Sequence, residues 1–139
     1  YAELLSHEMV RSIKDVYRDR EFDLVTCVPM HKDTLRKRGY NQAELLAKEC
    51  ARLLGIEYAD LLAKTKKNKT QHSIKAAERA KNVIGVYSPI DKNLIKGKRI
   101  LIIDDIITTG STLGECARIL NKCKCGEICC CTLCTSLLI

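Results

Sequence analysis

The sequence contains no tryptophan, one phenylalanine and five tyrosines in 139 residues. So few rings disfavour a protein that grips single-stranded nucleic acid by stacking bases on aromatic side chains. Long apolar runs are missing too. No stretch reaches the roughly 17–25 residues that a bilayer-spanning helix needs, and charges stand near the N-terminus where a secretory signal has its apolar core. A cytoplasmic protein with no membrane partner is the expectation. The chain opens on Tyr1 rather than an initiator Met, which leaves room for a segment upstream. Nowhere does a Gly-x-x-x-x-Gly-Lys-Ser/Thr loop occur, and this argues against a nucleoside triphosphatase.

What is present is ordinary for a folded domain. Apolar residues make up 46% of the chain and charged residues 29%, and this length can bury roughly two-thirds of the unfolded surface around one core. With no internal repeat and no linker-like stretch, residues 1–139 read as one domain. The net charge of +7 favours an anionic partner, whether a small polyphosphate, a nucleic acid or a membrane surface. The shortage of rings tips that choice toward the polyphosphate. Nine cysteines are an odd number, and in a reducing compartment they read as thiols or metal ligands rather than a disulfide framework.

Leu5, Met9, Ile13, Val16 and Tyr17 recur at helical spacing, which predicts an amphipathic helix over 3–18. Phe22 to Val28 reads as a strand that Pro29 ends. Met30 to Tyr40 is expected to be a basic loop holding His31, Lys32, Arg36, Lys37 and Arg38. Asn41 with Glu44 resembles a capping box and Gly55 a C-terminal stop, so 42–54 is predicted helical. Tyr58 to Ala63 reads as a strand, Lys64 to Ser73 as a lysine-rich mobile loop, Ala76 to Lys81 as helical, and Val83 to Tyr87 as a strand before turn signals at Ser88, Pro89 and Asp91. Ile100 to Ile103 is a continuous apolar run of the kind that parallel strands covered on both faces carry. A loop over 104–112, a helical stripe at Leu113, Cys116, Ala117 and Leu120, and a strand at Ile128 to Leu133 complete the pattern. Strands alternating with helices predict an α/β fold, a mainly parallel sheet flanked by helices with right-handed crossovers.

The segment Ile100-Leu-Ile-Ile-Asp-Asp-Ile-Ile-Thr-Thr-Gly-Ser-Thr-Leu113 carries the chemistry. Open α/β sheets bind ligands at the carboxyl ends of their strands, where Asp104 and Asp105 emerge. Two carboxylates can accept hydrogen bonds from vicinal sugar hydroxyls. Thr108, Thr109, Gly110, Ser111 and Thr112 can wrap a phosphate, because glycine lets the backbone approach closely and a helix N-terminus offers unpaired N–H groups. Acids beside an anion cradle suit a sugar phosphate rather than a bare phosphate. The competing structural reading makes Ser111 or Thr112 a helix cap and the aspartates a solvated strand end.

This segment resembles the 5-phosphoribosyl-1-pyrophosphate (PRPP) signature of type I phosphoribosyltransferases. Val28-Pro29, Arg38-Gly-Tyr-Asn-Gln42 with Leu45-Leu-Ala47, and Glu78-Arg79 with Asn82 and Gly85 narrow the resemblance to the ComF family. It runs from about Val28 to Leu113. It implies a type I phosphoribosyltransferase-like fold that binds PRPP and transfers its 5-phosphoribosyl group to an unidentified acceptor, releasing pyrophosphate. Mg²⁺ is the implied cofactor, carried with PRPP because a hard cation suits pyrophosphate oxygens. Pro29, His31, Lys37 and Arg38 are implied at the pyrophosphate, with Arg38 preferred because its planar fork holds phosphate oxygens bidentately. Arg79, beside Asp104 and Asp105 in the implied catalytic set, and Asn82 would close over the substrate behind a flexible segment. Many ComF relatives carry an upstream zinc module, which residues 1–139 do not include.

Cys131 and Cys134 make one Cys-x-x-Cys spacing, but Cys123-x-Cys125 does not match it, and neighbours along a strand face opposite ways. Small thiols packing a strand and a helix are therefore expected rather than a metal site. His7 falls in a helix and His31 and His72 in basic loops. The family's association with competence and DNA uptake supports a second reading, a noncatalytic PRPP or nucleotide sensor that contacts single-stranded DNA through Lys64, Lys66, Lys67 and Lys69. A homodimer is a further candidate assembly.

Overall fold

The apolar run at Ile100 forms strand β5 (Arg99–Ile107), and Ile100, Leu101, Ile102 and Ile103 are all fully buried. Alternate side chains of a strand face opposite ways, so both sides need a cover. Ile100 and Ile102 cluster with Leu113, Cys116 and Leu120 of helix α5 (Ser111–Lys122). Leu101 and Ile103 cluster with Met9 and Ile13 of helix α1 (Ala2–Val16) and with Leu46, Ala47 and Cys50 of helix α3 (Gln42–Leu54). Each such aliphatic side chain contributes about 1.5–3 kcal/mol by leaving water.

The computed structural model describes residues 2–66, 84–107 and 110–135. Strands β1 (Leu24–Cys27), β2 (Glu57–Tyr58) and β6 (Glu127–Thr135) join β5 in a parallel sheet of order β2-β1-β5-β6. Strands β3 (Leu62–Lys64) and β4 (Tyr87–Pro89) form a separate antiparallel ribbon on the α5 side. Helices α2 (Lys32–Arg38) and α4 (Lys92–Ile95) complete the described elements. At the amino ends of the central strands, the backbone N–H and guanidinium of Arg99 both bond the Asp23 carboxylate, at 2.8 and 3.0 Å. These bonds hold the Asp23 carboxyl down at about 2. No helix among the described residues is long and apolar enough to cross a membrane.

Several boundaries differ from the sequence expectations. Residues 30–40 contain α2, which buries no side chain and is held by its ends: His31 Nδ1 accepts from Asp33 N, and Gly39 closes the helix at φ 84°. Tyr58 to Ala63 is not one strand, because the chain leaves the main sheet after Tyr58 and enters the ribbon at Leu62. Ser88 and Pro89 lie in β4 rather than in a turn, and Pro89 is tolerated because it ends a two-stranded ribbon. Lys64 belongs to β3, half-buried with Nζ over the Tyr87 ring, not to a solvated loop. The capping box is half made: Asn41 accepts from Ala43 N, while Glu44 pairs with Lys48. The predicted helix over 76–81 lies outside the described residues.

The cysteines divide between the two layers. Cys116 and Cys123 are buried on the α5 side, with Cys130 packed against them. Cys27, Cys50 and Cys129 are buried on the α1 and α3 side, with Cys131 beside them. Burial pushes the Cys27 and Cys50 thiols up to about 12, so both remain protonated packing groups at neutral pH.

Candidate functional site

Strand β1 stops before β5 does. Its last paired residue, Cys27, lies opposite Ile103, and Val28 N donates to the Ile103 carbonyl before Pro29 turns the chain away. Strand β5 continues to Ile107, paired from Asp104 onward with β6. The acids expected in a loop thus sit on an extended strand, beyond the last residue that β1 pairs. The chain leaves β1 toward β2 and leaves β5 toward β6, on opposite sides. That reversal makes the gap between β1 and β5 the topological switch point, where open α/β sheets form their ligand crevice.

Asp104 continues the inward-facing series of Ile100 and Ile102 and is only 9% exposed. Burial, and then its side-chain hydrogen bond with Asp105, pushes the Asp104 carboxyl up to about 7. Its Oδ1 also accepts from Asp105 N at 2.9 Å. Strand alternation would separate the two side chains, yet these bonds draw both carboxyl groups to one place. The pair can share a proton or together accept hydrogen bonds from two neighbouring hydroxyls.

Of the residues expected to hold a phosphate, the first one described after β5 is Gly110, which takes φ 78° and caps α5 with no side-chain hydrogen bond. The helix runs from Ser111, and Gly114 N returns to the Gly110 carbonyl at 2.8 Å. Thr112 hydrogen-bonds the buried Tyr87 hydroxyl, which anchors the first turn of α5 to the ribbon. Glu115, 5% exposed, ties α5 to the turn that precedes β4 by accepting from Gly85 N, while Arg118 holds its carboxyl below the usual range. Thr108, Thr109, Arg79 and Asn82 lie outside the described residues.

The segment expected at the pyrophosphate starts at Pro29, just past the end of β1. His31 caps α2 through Nδ1, and Lys37 and Arg38 stand exposed on its last turn, where cations also complement the helix dipole. Asn41 fixes the entry of α3 to the end of β1, its Nδ2 donating to the Val28 carbonyl at 3.2 Å. Beside it, Tyr58 Oη donates to Asp60 at 2.8 Å and lies 3.3 Å from Cys27 Sγ. Sequence reasoning missed this Cys27–Tyr58–Asp60 chain, because only the fold brings the end of β1 to the end of β2.

Comparison with known proteins agrees with this fold. The phosphoribosyl transferase domain family model matches residues 41–137. The chain is 32% identical over 129 residues to competence protein F of Haemophilus influenzae, covering 89% of this chain and 56% of that protein. It is 30% identical to competence protein ComFC of Streptococcus pneumoniae, covering 88% of this chain and 49% of that protein. It thus spans about half the length of these relatives. Among solved structures, adenine phosphoribosyltransferase of Saccharomyces cerevisiae matches with TM-score 0.64 at 16% identity, covering 97% of this chain and 68% of that one. The glutamine PRPP amidotransferase of B. subtilis matches with TM-score 0.60 at 22% identity, covering 93% and 25%. Both share the fold seen here, a parallel sheet flanked by helices. The chain belongs to the phosphoribosyl transferase domain family and, through its likeness to competence protein F and ComFC, to the ComF family within it.

Proposed function

We propose that the crevice between β1 and β5 binds PRPP and supports transfer of its 5-phosphoribosyl group to a nucleophilic acceptor, with release of pyrophosphate. The observation that carries this reading is the meeting of Asp104 and Asp105 at the switch point, directly before a helix whose first turn starts at an uncapped glycine. The acids take the ribose hydroxyls, and the N–H groups of the first turn of α5 take the 5-phosphate. Pro29 to Arg38 faces the pyrophosphate, with Arg38 as its bidentate contact. Arg79 and Asn82 close over the substrate and exclude water from the anomeric carbon.

Carboxylates near that carbon stabilise the positive charge that develops as pyrophosphate departs. The acceptor supplies the attacking electron pair and loses a proton as the new glycosidic bond forms. Mg²⁺ fits this donor set. Two adjacent carboxyls, one raised by burial and by its neighbour, are hard oxygen donors whose repulsion a divalent cation relieves. No group of three or more acidic, histidine or cysteine side chains among the described residues could hold a metal ion, so PRPP oxygens would supply the remaining ligands. The ion's chemistry is to offset charge on the leaving pyrophosphate.

Calorimetry with PRPP and Mg²⁺ tests the reading. Wild-type protein binds, and the Asp104→Asn, Asp105→Asn double variant loses at least about tenfold in affinity; full retention of affinity would overturn the assignment. Pyrophosphate release with a panel of bases and amines identifies the acceptor, and Arg79→Ala lowers turnover if closure matters.

The names of the relatives support a second reading. One of them, at 30% identity over 101 residues, is a DNA utilization protein of Escherichia coli. In this reading the domain senses PRPP without turnover and contacts single-stranded DNA through its basic surface. Salt-sensitive DNA binding in the absence of pyrophosphate release distinguishes it.

A further inference from the structure

At the end of the sheet opposite Asp104 and Asp105, a cavity of about 410 Å³ opens where α1 and α3 end and where β1 and β5 begin. Small-molecule sites commonly occupy roughly 300–1,000 Å³. The floor is apolar and partly aromatic: Tyr17 and Phe22 meet edge to face with centroids 5.8 Å apart, and Ile56 flanks them. Four cations and one carboxylate, Glu21, form the rim. Arg20 is paired with Glu127, and Arg99 with Asp23 and Glu21, whereas Lys14 and Arg18 have no ion-pair partner among the described residues.

Lys14 and Arg18 stand four apart across the end of α1, a spacing at which like charges repel. The helix dipole favours cations there, but it does not account for an apolar, ring-lined hollow beside them. A bare anion would need no such floor, and an uncharged ring would need no such rim. A molecule that joins the two parts satisfies both.

We propose that this cavity binds a nucleoside monophosphate, with the base against Tyr17, Phe22 and Ile56 and the phosphate on Arg18 and Lys14. The site is separate from the crevice at the carboxyl ends of the strands and does not depend on the reading of that crevice.

Amide chemical-shift mapping with AMP, GMP, CMP and UMP tests the proposal, with adenosine and inorganic phosphate as partial probes. The expected result is saturable shifts at Arg18, Phe22 and Ile56 in the millimolar range or tighter. Each partial probe binds about tenfold more weakly or worse. The Lys14→Glu, Arg18→Glu double variant, altered at two exposed positions, melts like wild type and loses about tenfold or more in affinity. Arg18→Gln reproduces the direction of the loss should the double variant fold poorly. Shifts confined to Asp104, Asp105 and Gly110 to Leu113, phosphate binding as tightly as the nucleotide, or undiminished binding by the charge variants would each overturn it.

Discussion

Replacing Asp104 by Asn is expected to stabilise the free protein at pH 8 and to leave its stability unchanged below about pH 3. The folded-state carboxyl stands at about 7, above the ordinary aspartate value near 3.8. The folded chain therefore holds a proton that the unfolded chain has lost between those two values, and stability falls as pH rises through that window. Below it both states are protonated, and the residue costs nothing. Above it the fold carries a buried charge. Every tenfold gain in proton affinity on folding corresponds to about 1.4 kcal/mol, and for the Asp104 carboxyl we expect a total cost of about 2–4 kcal/mol. Asparagine keeps an oxygen to accept from Asp105 N and carries no charge to bury. In a domain of this size the gain raises the melting temperature by on the order of 10 °C at pH 8. Thermal scans of wild type and variant from about pH 3 to pH 8 decide the matter. Equal melting temperatures at pH 8, or a gap that widens toward acid, would refute the reasoning.

Three further outcomes follow from the backbone and the ion pairs. A Cβ at Gly126 would lie 2.9 Å from the Gly97 carbonyl oxygen, so Gly126→Ala should cost about 1–3 kcal/mol in denaturant unfolding. Gly110 takes φ 78°; Gly110→Ala should cost about 1–2 kcal/mol of stability and weaken PRPP binding in calorimetry by more than the stability loss alone predicts. Arg99 holds the Asp23 carboxyl down at about 2, so its contribution is present above the ordinary aspartate value and vanishes as pH falls through 2. Asp23→Asn should therefore melt below wild type at pH 7 and level with it near pH 2.

The parts of the fold legible in the sequence were those fixed by local pattern. Ile100 to Ile103 announced a strand covered on both faces, and Asn41 and Gly55 bracketed α3 to the residue. Helix α2 escaped notice because Lys-Asp-Thr-Leu-Arg-Lys-Arg buries nothing; its stability comes from a histidine cap and a left-handed glycine, and hydrophobic periodicity cannot register either. The split of Tyr58 to Ala63 between two sheets and the extension of β5 through Asp104 and Asp105 depend on which strand lies alongside. Composition does not record that. The acids themselves were legible as chemistry, but the hydrogen bond that unites them against strand alternation, and the anchoring of Thr112 by Tyr87, arise only once the elements pack.

Position 104 is where the demands of folding and binding separate. The face of β5 that carries Ile100 and Ile102 continues inward at 104, close enough to Cys116, Tyr87 and Cys130 for the carboxylate to raise each of them. An aliphatic side chain there would extend the core, whereas the carboxyl costs the fold about 2–4 kcal/mol at alkaline pH. Sequences depart from local consistency mainly where function requires it. A ligand that binds only the folded chain stabilises it by about 2.7 kcal/mol at a hundred times its dissociation constant, which matches the cost of the buried acid. Sugar hydroxyls and a divalent cation are the kind of ligand that can recover it, because both favour the ionised Asp104 carboxylate that burial resists. The buried charge at position 104 is thus the feature on which the proposed PRPP site depends.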